Sequence, residues 1–206
     1  MESPTRLYLL RHGEVEARYH RIFGGRIDME LSPRGHEQAK ALAGWLRAVH
    51  FNAIYSSPMK RAQQTLAPLA AHSPAAPRTM DDLREVDFGA WTGLSWQQVH
   101  EQFNVSAFDW LHMLEEGAIP GAESAANLRA RVEPCLRRIL TECRGQTAAI
   151  VCHGGVIRML LAVLLQLPVP KLAHFDIEYA SATVVECLPR RAEVELLNFT
   201  PWRDVP

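Results

Sequence analysis

The sequence is short of several things that would decide its class. Its 22 Lys and Arg nearly balance 23 Asp and Glu, for a formal net charge of −1, so no basic surplus marks a nucleic-acid or anionic-membrane partner. Its four cysteines, Cys135, Cys143, Cys152 and Cys187, show no Cys-x-x-Cys spacing. They read as reduced, mostly buried thiols of a cytoplasmic protein, and neither a metal site nor a cofactor is expected. The longest apolar stretch, residues 159–165, is too short to span a bilayer. The opening Met-Glu-Ser-Pro-Thr-Arg lacks the apolar run of a signal peptide. No internal repeat or low-complexity tract interrupts the chain. The 206 residues, 48% of them hydrophobic, suit a single domain over 1–206, large enough to bury roughly 70% of the surface its unfolded chain exposes.

What is present alternates between two periodicities. Residues 7–10 are a short apolar run ending in Arg-His-Gly, a buried strand that delivers its carboxyl end to a loop. Ser32-Pro33 predicts a helix start, Ser as N-cap and Pro in the first helical position, with Ala39, Leu42, Ala43 and Leu46 at helical spacing behind it. Residues 53–56 are a second strand, and Ser57-Pro58 repeats the N-cap signal for a helix to about Ala71. Pro74 and Pro77 break the chain before a short strand near residues 78–80. Residues 91–123 read as a small helical cap insertion, with a Ser95-x-x-Gln98 capping box, three tryptophans, and Gly117, Pro120 and Gly121 as punctuation. The long helix after it carries Leu128, Val132, Leu136 and Ile139 on one face, and Pro134 should kink or break it. Residues 147–152 form an apolar strand ending in His153-Gly154-Gly155 and entering a helix apolar nearly all round. Two β-type runs, 182–188 and 193–199, close the chain as a hairpin or two edge strands. The alternation predicts an α/β fold: a three-layer sandwich with a mostly parallel central sheet flanked by helices, plus the cap.

Two strands therefore end alike, in Leu10-Arg11-His12-Gly13-Glu14 and Val151-Cys152-His153-Gly154-Gly155. Ligands of an open parallel sheet bind at the carboxyl ends of its strands. The glycines let backbone approach a ligand closely, and Gly154 would open a helix whose free N–H groups suit an anion. Arg61 stands in the first turn of its helix beside Lys60, where cations oppose the macrodipole unless a phosphate joins them; taken alone, side chains reaching into solvent explain both as well. Phosphoryl transfer needs a nucleophile, a cationic cradle for three oxygens and an acid for the leaving oxygen. His12, with Arg11 and Arg61 and an acid, meets that list.

The residues also carry a family resemblance. Leu9-Leu10-Arg11-His12-Gly13-Glu14 resembles the Arg-His-Gly signature of the histidine phosphatase (phosphoglycerate mutase-like) superfamily. Ser56-Ser57-Pro58-Met59-Lys60-Arg61-Ala62 followed by Thr65 is similar to its second arginine motif, and Leu83-Arg84-Glu85-Val86-Asp87-Phe88-Gly89 with Trp91 and Gly93 to the segment that supplies its acid. Pro120-Gly121, with Glu123-Ser124, resembles a cap-closing motif, and His153-Gly154-Gly155-Val156-Ile157-Arg158 the second histidine motif. Each match is weak by itself; five in family order over nearly the whole chain are specific. The resemblance implies catalytic residues His12, Glu85, Arg11, Arg61 and His153. His12 would attack phosphorus and become a phosphohistidine, while Arg11, Arg61, His153 and Gly154 hold the phosphoryl oxygens. Glu85 would protonate the leaving oxygen and then take a proton from water; a surface carboxylate paired with Arg84 is its plainer reading. His12 must be neutral to attack, and neighbouring arginines lower a histidine pKa. Where relatives often have Thr or Ser after the motif's Glu and a Trp-Asn pair beyond, this chain has Val15 and Ala17-Arg18; Arg18, or Arg21 if the loop shifts, is the substitute in reach.

The expected activity is hydrolysis of small-molecule phosphomonoesters, since the extra basic motifs of true mutases are missing. The short cap and the Asp87-Phe88-Gly89 segment are similar to α-ribazole-5′-phosphate phosphatases. Trp91, Trp96 and Trp110 are candidates to stack on a base, although anchoring the cap is the better reading for at least two of them. Three other readings stay open: a phosphoglycerate mutase, a non-catalytic phosphate-binding module, and a cysteine phosphatase in which Cys152, spaced Cys-x5-Arg from Arg158, is the nucleophile. The expected partner is a small phosphate ester rather than nucleic acid or membrane, with a homodimer left open.

Overall fold

The structure, a computed structural model, describes residues 3–205. A six-stranded sheet has the order β3-β2-β4-β1-β5-β6, where β1 is Thr5–Arg11, β2 Ala53–Ser56, β3 Pro77–Thr79, β4 Thr147–Cys152, β5 Ala182–Leu188 and β6 Arg191–Phe199. The first four strands run parallel and β5 and β6 form an antiparallel hairpin at one edge. Strand alternation splits the core in two. Leu7, Leu9, Ala148, Ile150 and Cys152 face the layer of α5 (Ala125–Glu142) and α6 (Gly154–Leu164), whereas Tyr8, Leu10, Ala149 and Val151 face α1 (Pro33–Trp45) and α2 (Lys60–Ala70). This is the expected three-layer sandwich. Between β3 and α5 lie α3 (Trp96–Phe103) and α4 (Trp110–Glu115), whose Val99, Leu111 and Leu114 join the α5–α6 core; α7 (Pro201–Asp204) follows β6. No helix among the described residues is long and apolar enough to cross a membrane.

Two local expectations need correction. Ser32 caps α1 by accepting from Gly35 N–H, as the Ser-Pro signal predicts, but the second Ser-Pro does not cap α2. That helix begins at Lys60 with Met59 in the cap position and no side-chain cap from it; Asp28 Oδ1, from a distant loop, accepts the Lys60 N–H at 2.8 Å instead. The Ser57 hydroxyl lies 2.8 Å from His153 Nε2. Secondly, α5 runs through Pro134 without a break. Pro134 and Ala130, whose carbonyl loses its partner, are both exposed, so water can take the freed acceptor.

Candidate active site

β1 and β4 are neighbours with Arg11 opposite Cys152, so the residues that follow, His12 and His153, come side by side at the carboxyl edge of the sheet. Their rings are 5.2 Å apart, and the backbone is locked there by His12 N–H donating to Cys152 O at 3.0 Å. Gly13 can only be glycine because a Cβ would sit 2.6 Å from Gly35 O at the start of α1. Its N–H is fixed by Thr65 Oγ1 on α2, 2.9 Å away.

His12 Nδ1–H donates to Gly13 O at 2.8 Å, which leaves the lone pair on Nε2. That nitrogen accepts from Arg61 Nε–H at 3.2 Å. Burial, then Arg61 and Arg11, hold the His12 pKa well below the ordinary histidine range, so the ring is neutral at physiological pH. Arg61 is 2% exposed and does not reach into solvent. It also donates to Ile27 O and Gly25 O, at 2.7 and 2.9 Å, tying the 25–27 loop to α2. Burial lowers its pKa to about 10, which still leaves it a cation.

Arg11 donates to Ile177 O and lies 4.2 Å over the Tyr179 ring, and its buried Nε has no partner. His153 is fully buried behind His12. Its Nε2 lies 2.8 Å from Ser57 Oγ and its Nδ1 is likewise a buried atom without a partner. Burial, then Arg61, His12 and Arg11, keep this ring neutral as well. Two unpartnered buried nitrogens at one strand edge are costly unless a ligand completes them.

Glu85 reaches the same centre from the other side. Its Oε2 accepts from Gly155 N–H at 3.3 Å, in the first turn of α6, and a Cβ on Gly155 would collide with Oε1 at 2.6 Å. It is not paired with Arg84, which binds Asp81 instead. Arg131 holds the loop that carries Glu85, donating to Asp82 O, Arg84 O and Glu85 O while it pairs with Glu123 at 2.6 Å.

A cavity of about 240 Å³ opens here, lined by Arg11, His12, Arg61, Glu85, Gly154 and Gly155 among others. Arg18 does not line it: its side chain is 68% exposed and paired with Glu16 at 3.0 Å. Arg21 is not among the lining residues either. Trp96 and Trp110 do line it, while Trp91 is buried against Phe23. Among the lining residues given no role in the histidine mechanism from the sequence are Arg158 and Tyr179. Arg158, whose pKa burial lowers to about 10, is the lone charge on an otherwise apolar helix and lies one turn from Gly154, a legible signal. Tyr179 stands in the loop before β5 and no sequence pattern marks it. Cys152 is fully buried on the α5–α6 face, its thiol pKa pushed up by burial, and is absent from the cavity wall.

Comparison with known proteins gives one consistent result. The family described as "Histidine phosphatase superfamily (branch 1)" matches residues 7–200. Phosphoserine phosphatase 1 of Hydrogenobacter thermophilus is 31% identical over 95% of this chain and 93% of its own. An adenosylcobalamin/alpha-ribazole phosphatase of Escherichia coli is 28% identical over 94% and 95%. The solved alpha-ribazole phosphatase of Shigella flexneri superposes with a TM-score of 0.82 at 26% identity, over 95% of this chain and 96% of that one.

Proposed function

Because this chain belongs to the histidine phosphatase superfamily and is a phosphoric monoester hydrolase, we propose that it works through a phosphohistidine on His12. The observation that carries this is the His12 hydrogen-bond pattern: Nδ1–H is committed to Gly13 O, and the Nε2 lone pair stands in the cavity beside a buried guanidinium. In the first step Nε2 attacks phosphorus, the P–O ester bond breaks, and Glu85 gives its proton to the departing alcohol oxygen. The Gly13 carbonyl stabilises the positive ring that forms. Arg61 exchanges its contact with Nε2 for one with a phosphoryl oxygen, and Arg11 Nε supplies another. Ser57 Oγ accepts from Met59 N–H and has its own proton to give to His153 Nε2, which leaves Nδ1–H as a neutral donor to the same group. Gly154, at the start of α6, adds backbone donors. In the second step water attacks the phosphohistidine, Glu85 takes its proton, and inorganic phosphate leaves with His12 restored.

The arginines supply the positive charge that a metal gives other phosphatases, so activity should survive excess EDTA. Of the substrates that the relatives' names carry, α-ribazole 5′-phosphate is the candidate we retain for this chain. Four free thiols, three of them buried, fit a reducing cytoplasm. Rapid quench with ³²P-labelled phosphomonoester tests the mechanism. Acid-labile, base-stable label on the native enzyme, lost in His12→Ala, is the expected result; full label on His12→Ala would sink it.

A further inference from the structure

The half of the cavity away from the phosphoryl cradle offers, among the described residues, no carboxylate partner to an alcohol that carries an ammonium group. Three guanidiniums, Arg11, Arg61 and Arg158, line the cavity, and among the described lining residues Glu85 has the only carboxylate. That carboxylate is committed to the leaving oxygen. An ammonium group on the alcohol, as in phosphoserine, would find no second carboxylate among the described lining residues to pair with.

The remaining wall is largely aromatic and apolar, with the Arg158 guanidinium 6.0 Å from the centre of the Trp110 ring. Trp96 comes from α3 and Trp110 from α4, so both cap helices contribute an indole to the cavity. Trp110 packs edge-on to Phe88, centroids 5.4 Å apart, which fixes its plane. Trp96 packs edge-on to Phe108 at 4.6 Å. This second pair lies at the surface: Trp96 is 44% and Phe108 70% exposed, although the other aromatic clusters are largely buried. A Phe held out in solvent as the buttress of a Trp at a cavity mouth marks a surface that a ligand covers.

We propose that Trp96 and Trp110 form a ring-binding subsite beside the phosphoryl cradle, and that the enzyme selects phosphomonoesters whose alcohol carries a flat, uncharged ring. Phe108 is a positioning residue that orients Trp96. The inference deepens the phosphatase reading and rests on it. It separates the two leaving groups carried by the relatives' names, favouring one that bears a heteroaromatic base over serine.

The test compares AMP with ribose 5-phosphate, two esters of the same primary position that differ by a flat base, with O-phospho-L-serine and p-nitrophenyl phosphate alongside. For the native enzyme kcat/KM for AMP should exceed that for ribose 5-phosphate by at least about fivefold, the scale of one base–aromatic stack. Phosphoserine should fall below both. In Trp96→Ala the AMP preference should collapse toward unity, and in Phe108→Ala, a surface substitution that cannot unfold the core, it should shrink. An AMP to ribose 5-phosphate ratio at or below one, in enzyme that hydrolyses p-nitrophenyl phosphate, would overturn the subsite alone. So would a ratio that survives both substitutions. Silence toward p-nitrophenyl phosphate as well would overturn the phosphatase reading and the subsite with it.

Discussion

The loops that follow β1 and β4 begin alike, each with a histidine and a glycine at the end of a buried parallel strand. Both histidines are buried, both are held neutral, and their rings nearly touch. They differ in what each ring nitrogen meets. The first loop continues as irregular chain, pinned by Thr65 from α2 and Gln38 from α1, and His12 turns Nδ1 onto its own next carbonyl. The second loop enters α6 at once, and His153 turns Nε2 onto Ser57. One arrangement sets an Nε2 lone pair against Arg61 at the cavity wall; the other leaves His153 Nδ1 buried and without a partner, on a ring that does not itself line the cavity. In the proposed mechanism a shared motif divides into nucleophile and donor through the partner of the far nitrogen, a general feature of histidine sites.

Exchanging the roles is the sharpest way to break that comparison. His12→Ala should lose at least about 10⁴-fold in kcat, because the covalent route is gone. His153→Ala should lose at least about tenfold, one charge-assisted phosphate contact, yet still take label on His12. Ser57→Ala frees the His153 tautomer and should lose less than His153→Ala. Stopped-flow and quench kinetics on the three variants rank them; a His153→Ala loss equal to that of His12→Ala, with no label, would mean that the two loops do not divide the work.

Glu85 sharpens the same contrast from the leaving-group side. Loss of a general acid costs about 10²–10⁴-fold where the alcohol leaves poorly. Glu85→Gln should therefore slow alkyl phosphates far more than p-nitrophenyl phosphate. Equal losses on both would reduce Glu85 to a binding role.

Much of this was readable in the chain, and two of the misses, Ser57 and Tyr179, share one cause. His-Gly at two strand ends, the Ser32 cap and the Ser95–Gln98 capping box are local signals whose partners lie within four residues, and the structure keeps them. Ser57 carries the same N-cap signal, but the helix starts only at Lys60, and the hydroxyl, while accepting from Met59 N–H, also meets a histidine 96 residues away. Tyr179 reaches Arg11 because β5 pairs antiparallel with β1, a register set by the whole sheet and written in no nearby motif. Arg18 occupies the expected position in sequence, yet Glu16 two residues back offers it a partner at the surface. Most local chemistry was legible; contacts made across the sheet from far along the chain were not.

Acidity gives a smaller test. As pH falls below about 6.5, histidines of the unfolded chain take up protons. Folded His12 and His153, whose pKa values burial holds lower, do not. The unfolded state then binds more protons, so folding stability drops with pH in that window. Urea midpoints at pH 7.5 and 5.5 should show a larger fall for the native protein than for His153→Ala. An equal or smaller fall in the native protein would mean that the His153 ring is charged in the fold.

The smallest expected effect belongs to Cys152, which separates a histidine from a cysteine nucleophile. A cysteine mechanism needs an exposed thiolate with a depressed pKa. Here the thiol is buried in the α5–α6 core and burial pushes its pKa the other way. Strand alternation explains the placement, because Ala148, Ile150 and Cys152 share the face that packs on α5 and α6, while His153 follows at the strand's end. Cys152→Ser should therefore keep most activity. It should lose stability instead, by about 1–3 kcal/mol if the new hydroxyl finds no partner. Iodoacetamide should inactivate the native enzyme slowly or not at all under non-denaturing conditions. A Cys152→Ser variant with an unchanged melting temperature and no turnover, beside an active His12→Ala, would transfer the nucleophile from the first loop to the second and undo the division of labour between them.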